Sequence, residues 1–404
     1  MANCLITKLK GSVSNKEILR IGEMRIQFDK VKVPTEGTQG FIVGVNAPVT
    51  LEIIGDGYFT DSTLVTNKGK TQELPAGRSN IWVSNSDLLV AVLDKYKVNV
   101  VEVYYPNGGV SSFASNKHLN LDAFKYSVNF DYMDLSGTQT SGNVEDLKNL
   151  TAIKNLSLRN TKVSGNVGEL KTLAAVDNLS LNNTQVSGNV GELSALTKLV
   201  NFYINNTQVS GNVGDLKTLT KARQINLSNT KVSGNVGELS TLTALENLFL
   251  DNTLVTCNMS DLKKVVSLKG FSISNKQAPP TGDIGELNSL SKLINLSLNG
   301  ARLTGDLATL PSTCRYVSLN DNIDSVFSWG TRPSSAKIIA IIGNPHIENV
   351  DKMFQDQAQC VVGFSTGEDQ VYKTISCAGT RTSASDAAVQ TLQSKGYTIS
   401  IIPA

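Results

Sequence analysis

Histidine is nearly absent from this sequence. The chain has only His118 and His346, and they stand far apart. A Ser-His-Asp triad or a histidine-based metal site needs several such groups close together, so the sequence supports neither. It also has no Walker loop and no GxGxxG turn for a nucleotide. We therefore predict a protein that is not an enzyme and that uses no metal and no cofactor.

Cysteine is scarce and unpatterned. The five cysteines form no CxxC pair; they are Cys4, Cys257, Cys314, Cys360 and Cys377. An odd, scattered set indicates neither a disulfide framework nor a zinc site. We predict free and mostly buried thiols. The alternative is a Cys360–Cys377 disulfide, if two terminal strands lie side by side.

Neither sign of charge is in marked excess, and long apolar runs are missing. The chain has 37 basic and 35 acidic residues and a net charge of +2. This balance gives no electrostatic footprint for nucleic acid or an anionic membrane. No apolar run approaches the roughly 18 residues of a membrane span. The opening MANCLITKLKGSVSN also lacks the apolar core of a signal peptide, so we expect synthesis in a cytoplasm and no membrane insertion.

What the sequence does contain is an internal repeat. The glycine of each SG pair recurs every 23 residues, at Gly142, Gly165, Gly188, Gly211 and Gly234. Cys257 takes the next position, and Ala278–Pro280 then lengthens one step to 25 before Gly282. Self-similarity at such a period is typical of solenoids.

Each repeat mixes two hydrophobic spacings. Leu170, Leu173 and Val176 are three apart, which favours a short helical or 3₁₀ turn. Leu179 and Leu181 are two apart, which favours a strand with both side chains on one face. Equivalent pairs run from Met133/Leu135 to Leu296/Leu298, with weaker pairs at Val317/Leu319 and Ile339/Ile341. Stacked repeats would form a parallel sheet on the inside of a curve, with one long core behind it.

The pattern LxxLxxLxLxx(N/T)xVxGxV, over about residues 132–347, resembles a leucine-rich repeat. The VSGNVGEL half is similar to the plant-type LxGxI variant. The family's usual asparagine-ladder position holds threonine, at Thr161, Thr184, Thr207, Thr230 and Thr253. A threonine hydroxyl can still bond neighbouring backbone groups in the turn.

The flanks leave this period, and we predict three domains in a mainly β chain. Residues 1–115 carry short β-type runs between turn residues and would form an N-terminal antiparallel sandwich or barrel. Residues 116–349 would form the leucine-rich-repeat solenoid. Residues 350–404 would form a small α/β cap, in which TSASDAAVQTLQSKG reads as a helix that starts near Thr382 or Ser385 and stops at Gly396.

The concave side of the sheet is the candidate binding surface. Its predicted residues are Arg159, Asn182, Tyr203, Asn205, Asn226, Phe249 and Asp251. An exposed aromatic ring flanked by asparagines can stack on a sugar or anchor a protein loop. The alternative is that asparagine and serine simply keep a scaffold soluble.

A row of acidic residues recurs just before the first leucine of each turn. It comprises Asp146, Glu169, Glu192, Asp215, Glu238, Asp261 and Glu286. Acidic residues favour the start of a helix, and we predict that role. A calcium ladder is the alternative, but the dense GGxGxDxUx pattern is absent.

The opening MANCLITKLKGSVSNKEILRIGEMRI is similar to the start of virion-associated proteins of Bacteroides-infecting, crAss-like phages. This resemblance implies a head fibre, capsid decoration or tail part, anchored by its N-terminal domain and projecting the solenoid. The expected location is the virion, and the expected partners are virion or capsid proteins and further copies of the chain. The alternative is a free, cytoplasmic binding module or effector that recognises a protein or a cell-surface glycan on its concave face.

Overall fold

A computed structural model of the 404-residue chain describes residues 132–322, 325–362 and 373–403. Before residue 132 it describes ten strands, residues 67–69 and Leu121. The chain divides into two compact units, Met1–Val209 and Ser210–Ala404. Both units contain repeats.

Short strands fill the described part of the chain before the repeats. They are β1 (Ala2–Asn3), β2 (Ile6–Lys8), β3 (Lys16–Ile21), β4 (Met24–Lys30), β5 (Gln39–Val45), β6 (Val49–Glu52), β7 (Thr71–Leu74), β8 (Gly77–Val83), β9 (Leu88–Leu93) and β10 (Asn99–Glu102). They pair in the orders β2-β3-β4-β9, β10-β5-β8 and β1-β6-β7. Every described pair is antiparallel except β1–β6. Their assembly into a sandwich or barrel stays a prediction, and Cys4 and His118 lie outside the described residues.

In the first unit the repeats begin with a row of parallel strands. These are β11 (Tyr132–Asp134), β13 (Asn155–Ser157), β15 (Asn178–Ser180) and β17 (Asn201–Tyr203). Equivalent residues pair, as Leu156 with Leu179 and Leu179 with Phe202. A second row follows the turns, with β12 (Ser141–Asn143), β14 (Lys162–Asn166) and β16 (Gln185–Asn189), and β18 is Gln208–Asn212. The 3₁₀ helices span Val144–Leu147, Val167–Thr172 and Val190–Ala195.

The second unit continues the same pattern. Its main parallel strands are β19 (Gln224–Asn226), β21 (Asn247–Phe249), β23 (Gly270–Ser274), β25 (Asn295–Asn299), β27 (Tyr316–Ser318) and β29 (Ala340–Ile342). The second row comprises β20 (Lys231–Asn235), β22 (Leu254–Thr256), β24 (Thr281–Asp283), β26 (Arg302–Thr304), β28 (Val326–Phe327) and β30 (His346–Ile347). Between the rows lie 3₁₀ helices at Val213–Thr218, Val236–Thr241, Ile284–Ser289 and Leu307–Thr309, and helix α1 (Met259–Leu262).

The core of each repeat is built as its spacing predicts. Leu170, Leu173, Val176, Leu179 and Leu181 are all fully buried. Three-residue spacing in the turn and two-residue spacing in the strand bring these side chains to the same side. The predicted inward assignment is therefore confirmed.

The turn that follows each SG pair is capped by asparagine. Oδ1 of Asn166 accepts from the backbone N–H of Gly168 at 2.9 Å, and this closes the N-terminus of the 3₁₀ helix. Glu169 lies in the first turn, as the helix-start hypothesis predicts. Glu238 also completes a capping box, accepting at 3.1 Å from the N–H of Asn235.

Two further polar positions recur beside the strands. Oγ1 of Thr184 donates to the carbonyl of Leu181 at 2.6 Å and closes its own turn, as predicted for this position. The preceding Asn183 has a φ of 57°, a left-handed conformation that asparagine tolerates better than most residues. Its Nδ2 donates to Oδ1 of Asn160 at 2.6 Å. The asparagine ladder of this chain therefore runs one residue before the threonine position.

The C-terminal segment is an α/β arrangement, as predicted. It contains α2 (Val350–Gln359), β31 (Thr374–Ala378), α3 (Asp386–Ser394) and β32 (Thr398–Ile402). The predicted helix is confirmed, with Thr382 capping a 3₁₀ turn before it and Gly396 at φ 87° after it. Helix α2 was not predicted.

The four described cysteines are free and buried, namely Cys257, Cys314, Cys360 and Cys377. The prediction of buried thiols is confirmed for them. The alternative of a Cys360–Cys377 disulfide is wrong, because both thiols are free, and the thiol of Cys360 bonds the carbonyls of Pro333 and Asp356 instead.

Candidate binding face

The side of the repeat strands that faces away from the core is named the open face. Along a strand, alternate side chains point to opposite sides, so the residues between and after the two buried apolar positions lie on this face. Three predicted residues lie on it in the first unit at equivalent positions, namely Arg159, Asn182 and Asn205. Tyr203 lies two residues before Asn205 on the same face.

The register of the first unit places these four residues together. The N–H of Asn160 donates to the carbonyl of Asn182 at 3.0 Å, and the N–H of Asn183 donates to the carbonyl of Asn205 at 3.0 Å. Arg159, Asn182 and Asn205 therefore stand on successive rungs, about 4.8 Å apart at the backbone. Tyr203 pairs in register with Ser180. We name the set Arg159, Asn182, Tyr203 and Asn205 the arginine-tyrosine patch.

The arginine-tyrosine patch is polar at one end and aromatic at the other. Arg159 is exposed, and no ion pair joins it to any residue that the structure describes. Oδ1 of Asn182 accepts from Oγ of Ser180 at 2.8 Å, which leaves the Nδ2 of that amide as a donor on the face. Tyr203 is half-buried, and burial raises the pKa of its phenol. The phenol is therefore neutral at physiological pH and can both donate and accept.

In the second unit the remaining three predicted residues also lie together. Asn226 pairs in register with Phe249, and Asp251 follows two residues later on the same face. Oδ1 of Asn226 accepts from the N–H of Ser228 at 3.1 Å, while Oδ2 of Asp251 accepts from Oγ of Ser272 at 2.6 Å. Both polar groups are thus partly satisfied within the sheet. Phe249 is half-buried and offers an apolar ring.

Serine hydroxyls also lie on the face, and the sequence alone indicated only a solubilising role for them. Ser180 and Ser272 each orient a predicted residue by a hydrogen bond. Their positions follow from the same alternation along the strands, which identifies both serines as face residues. The bonds themselves depend on rotamers and could not be read from the period.

Metal chemistry finds no support in the described part of the chain, where no group of three or more His, Cys, Asp or Glu side chains could hold an ion. His346 is exposed on β30. No helix there is long and apolar enough to cross a membrane. The predicted residues on the open face offer amides, one carboxylate, one guanidinium and two aromatic rings, with serine hydroxyls beside them, and these groups can recognise a ligand.

Among solved structures, the chain is similar to the leucine-rich-repeat ectodomain of the Arabidopsis receptor kinase HAESA, in complex with a peptide hormone ligand that is lengthened at its N-terminus. The TM-score is 0.52 at 17% identity, over 71% of this chain and 52% of that one. The rows of short parallel strands, one from each successive repeat, fit the same fold. The chain has the leucine-rich-repeat fold.

Further leucine-rich repeat proteins resemble it at similar identity. An internalin from Listeria monocytogenes matches at 16% identity and a TM-score of 0.47, over 67% of this chain and 82% of that one. A leucine-rich repeat protein from Leptospira interrogans matches at 17% identity and a TM-score of 0.41, over 51% and 57%. The chain covers 43% of another HAESA structure that it matches. No protein-family model and no curated protein matches the sequence.

Proposed function

We propose that this leucine-rich repeat protein is a non-enzymatic binding protein that holds a protein ligand against its open face. The observation that carries the proposal is the arginine-tyrosine patch. It places an exposed guanidinium without an ion-pair partner in the described chain, two amides and a half-buried phenol on neighbouring rungs. Arginine and tyrosine are enriched among the residues that dominate protein interfaces.

The chemistry of the patch favours a segment of extended, acidic or polar polypeptide. The guanidinium can bind a carboxylate in a bidentate manner. Amides repeated about 4.8 Å apart can bond a polypeptide backbone, and the tyrosine ring gives an apolar contact beside them. The leucine-rich-repeat structure of HAESA has a peptide hormone bound, which is consistent with such a ligand.

Selection from a random peptide library on the immobilised protein tests this proposal. We expect enriched peptides that carry acidic residues, and their binding should fall at least about tenfold in Arg159→Ala and Tyr203→Ala, as for residues that dominate an interface. The matched controls are Lys162→Ala and Gln185→Ala, which alter exposed residues of β14 and β16 in the same unit. Equal binding by all four variants would place the ligand elsewhere. A glycan array on the same variants tests the sugar alternative.

The virion hypothesis is the narrower form of this function. It depends on the resemblance of the opening 26 residues and on the predicted docking domain at residues 1–115. In that form the solenoid (residues 116–349) and cap (residues 350–404) would project from a particle. Mass spectrometry of purified particles should then find the chain at structural copy number, and its absence from particles would refute a virion role.

A further inference from the structure

The last strand, β32, is an edge of the second unit's sheet. It pairs in parallel with β31, from Thr374 with Thr398 to Ala378 with Ile402, and with no other strand of the described chain. An edge strand presents a row of unpaired backbone N–H and C=O groups, which is a template for pairing with another strand.

The hydrogen bonds between β32 and β31 show which backbone groups of β32 point to its other edge. The N–H of Thr398 donates to Lys373 O at 2.8 Å, and Ile402 O accepts from the N–H of Gly379 at 3.0 Å. Backbone groups along a strand alternate between its two edges, so residues 398, 400 and 402 bond β31. The N–H and C=O of Ile399 and Ile401 therefore point to the open edge.

Neither a charge nor a proline within β32 protects it against edge pairing, and Pro403 lies beyond the strand. The segment Tyr397–Ile402 contains no charged residue and no proline, and β-branched residues fill four of its six positions. Natural edge strands are normally blunted by lysine, proline or inward-pointing charge. Ile402 is 46% exposed, and Thr398 and Ser400 are exposed beside it.

We infer that β32 is a self-association site, where a second copy of this chain adds its own β32 antiparallel across a two-fold axis at Ser400. In this register Ile399 of one copy lies opposite Ile401 of the other. Each such pair exchanges two N–H···O bonds, and the two-fold axis doubles them to four. The only unpaired residues of the edge thus satisfy each other.

The side chains are compatible with the same register. The two Ser400 residues face each other as a non-hydrogen-bonded pair, in which Cα atoms are about 4.5 Å apart. Thr398 lies opposite Ile402, and Ile399 opposite Ile401, so no like charges are opposed. Three features favour a second copy over an unrelated strand. The outward backbone groups of Ile399 and Ile401 match those of another β32, the segment carries no charge, and the added strand would continue the existing sheet.

Replacement of Ser400 by a positively or a negatively charged residue tests this inference in the full chain. Two five-residue strands bury less than the ~1,200 Å² of a stable interface, so we expect weak dimers over about 1–300 µM in sedimentation velocity. Ser400→Lys and Ser400→Asp should each be monomeric, because each opposes like charges across the axis. Their equimolar mixture should dimerise again. Gln393→Lys, an exposed change on α3, should dimerise like the wild type.

A cross-link provides a second measurement that does not depend on affinity. Oxidised Ser400→Cys should form a covalent dimer, while Thr398→Cys, which lies opposite Ile402, should not. A wild-type monomer throughout the concentration range would overturn the inference, as would equal cross-linking at both positions. Species larger than the dimer would indicate open-ended pairing and contradict the two-fold register. Unchanged melting temperatures of the charged variants would show that the monomer fold is intact.

Discussion

At two glycine positions of the repeat, different neighbours occupy the space that a side chain would need. Gly188 has a φ of 108°, and a Cβ there would overlap Oδ1 of Asn166, the residue that caps the preceding turn. Gly168 has no such backbone conformation, and the atoms nearest to a Cβ there would be those of the Glu192 carboxylate from the next repeat. Both the positive φ and the Asn166 side chain thus require glycine at position 188. Gly168 lies only against the end of an exposed, flexible side chain that can move away.

This difference gives a prediction at the residue scale. Gly188→Ala should lower the free energy of unfolding by about 1–3 kcal/mol, because the alanine is strained at positive φ and displaces the Asn166 cap. Gly168→Ala should cost less than about 1 kcal/mol, since Glu192 can turn into solvent. Urea denaturation of both variants measures the difference. A larger loss in Gly168→Ala than in Gly188→Ala would contradict this account.

The two hydrophobic spacings were sufficient to predict the repeat elements. The pairs from Met133/Leu135 to Val317/Leu319 lie at parallel strands, and the leucines three apart lie at 3₁₀ turns. The last predicted pair, Ile339/Ile341, is out of register by two residues, because Val317 pairs with Ile341. Helix α2 was missed, although its buried residues Val350, Met353, Phe354 and Gln357 stand at helical spacing. No side-chain cap marks its start, and its polar residues conceal the apolar stripe.

The candidate site was only partly predictable from sequence. Alternation along a strand identifies which residues face away from the core, and Arg159, Asn182 and Asn205 are placed on equivalent rungs by the 23-residue period. The Ser272–Asp251 bond joins different rungs, and it depends on two rotamers that no sequence pattern specifies. Which face residues remain available to a ligand therefore required coordinates.

At the scale of one element, the buried leucines in and just after β15 give a prediction about the free energy of unfolding. Leu181 is fully buried, so Leu181→Asp places an unpaired charge in the core and should cost about 4 kcal/mol or more. Gln185→Asp in the same repeat alters an exposed residue and is the matched control, with an expected change within about 0.5 kcal/mol. Thermal and urea unfolding of the pair measure the contrast. A wild-type midpoint in Leu181→Asp would refute the inward assignment.

At the scale of the whole molecule, the buried thiols make the free energy of unfolding depend on pH in the alkaline range. Burial raises the pKa of Cys314 and of Cys377 from 9.0 to about 11 in each case. Above pH 9 the unfolded chain loses these protons while the folded chain keeps them, so the unfolded state binds fewer protons and stability falls as pH rises. The stabilisation that a neutral thiol provides is complete below pH 9 and is lost on passing through about pH 11.

The urea midpoint of the wild type should therefore fall between pH 9 and pH 11 more steeply than that of Cys314→Val or Cys377→Val. Comparison of slopes is needed because lysine and tyrosine side chains also titrate in this range. Leu319→Ala is the matched control, since it removes buried apolar volume without removing a titratable group, and its slope should equal that of the wild type. Parallel slopes in all four proteins would show that the two thiols titrate alike in the folded and unfolded chains.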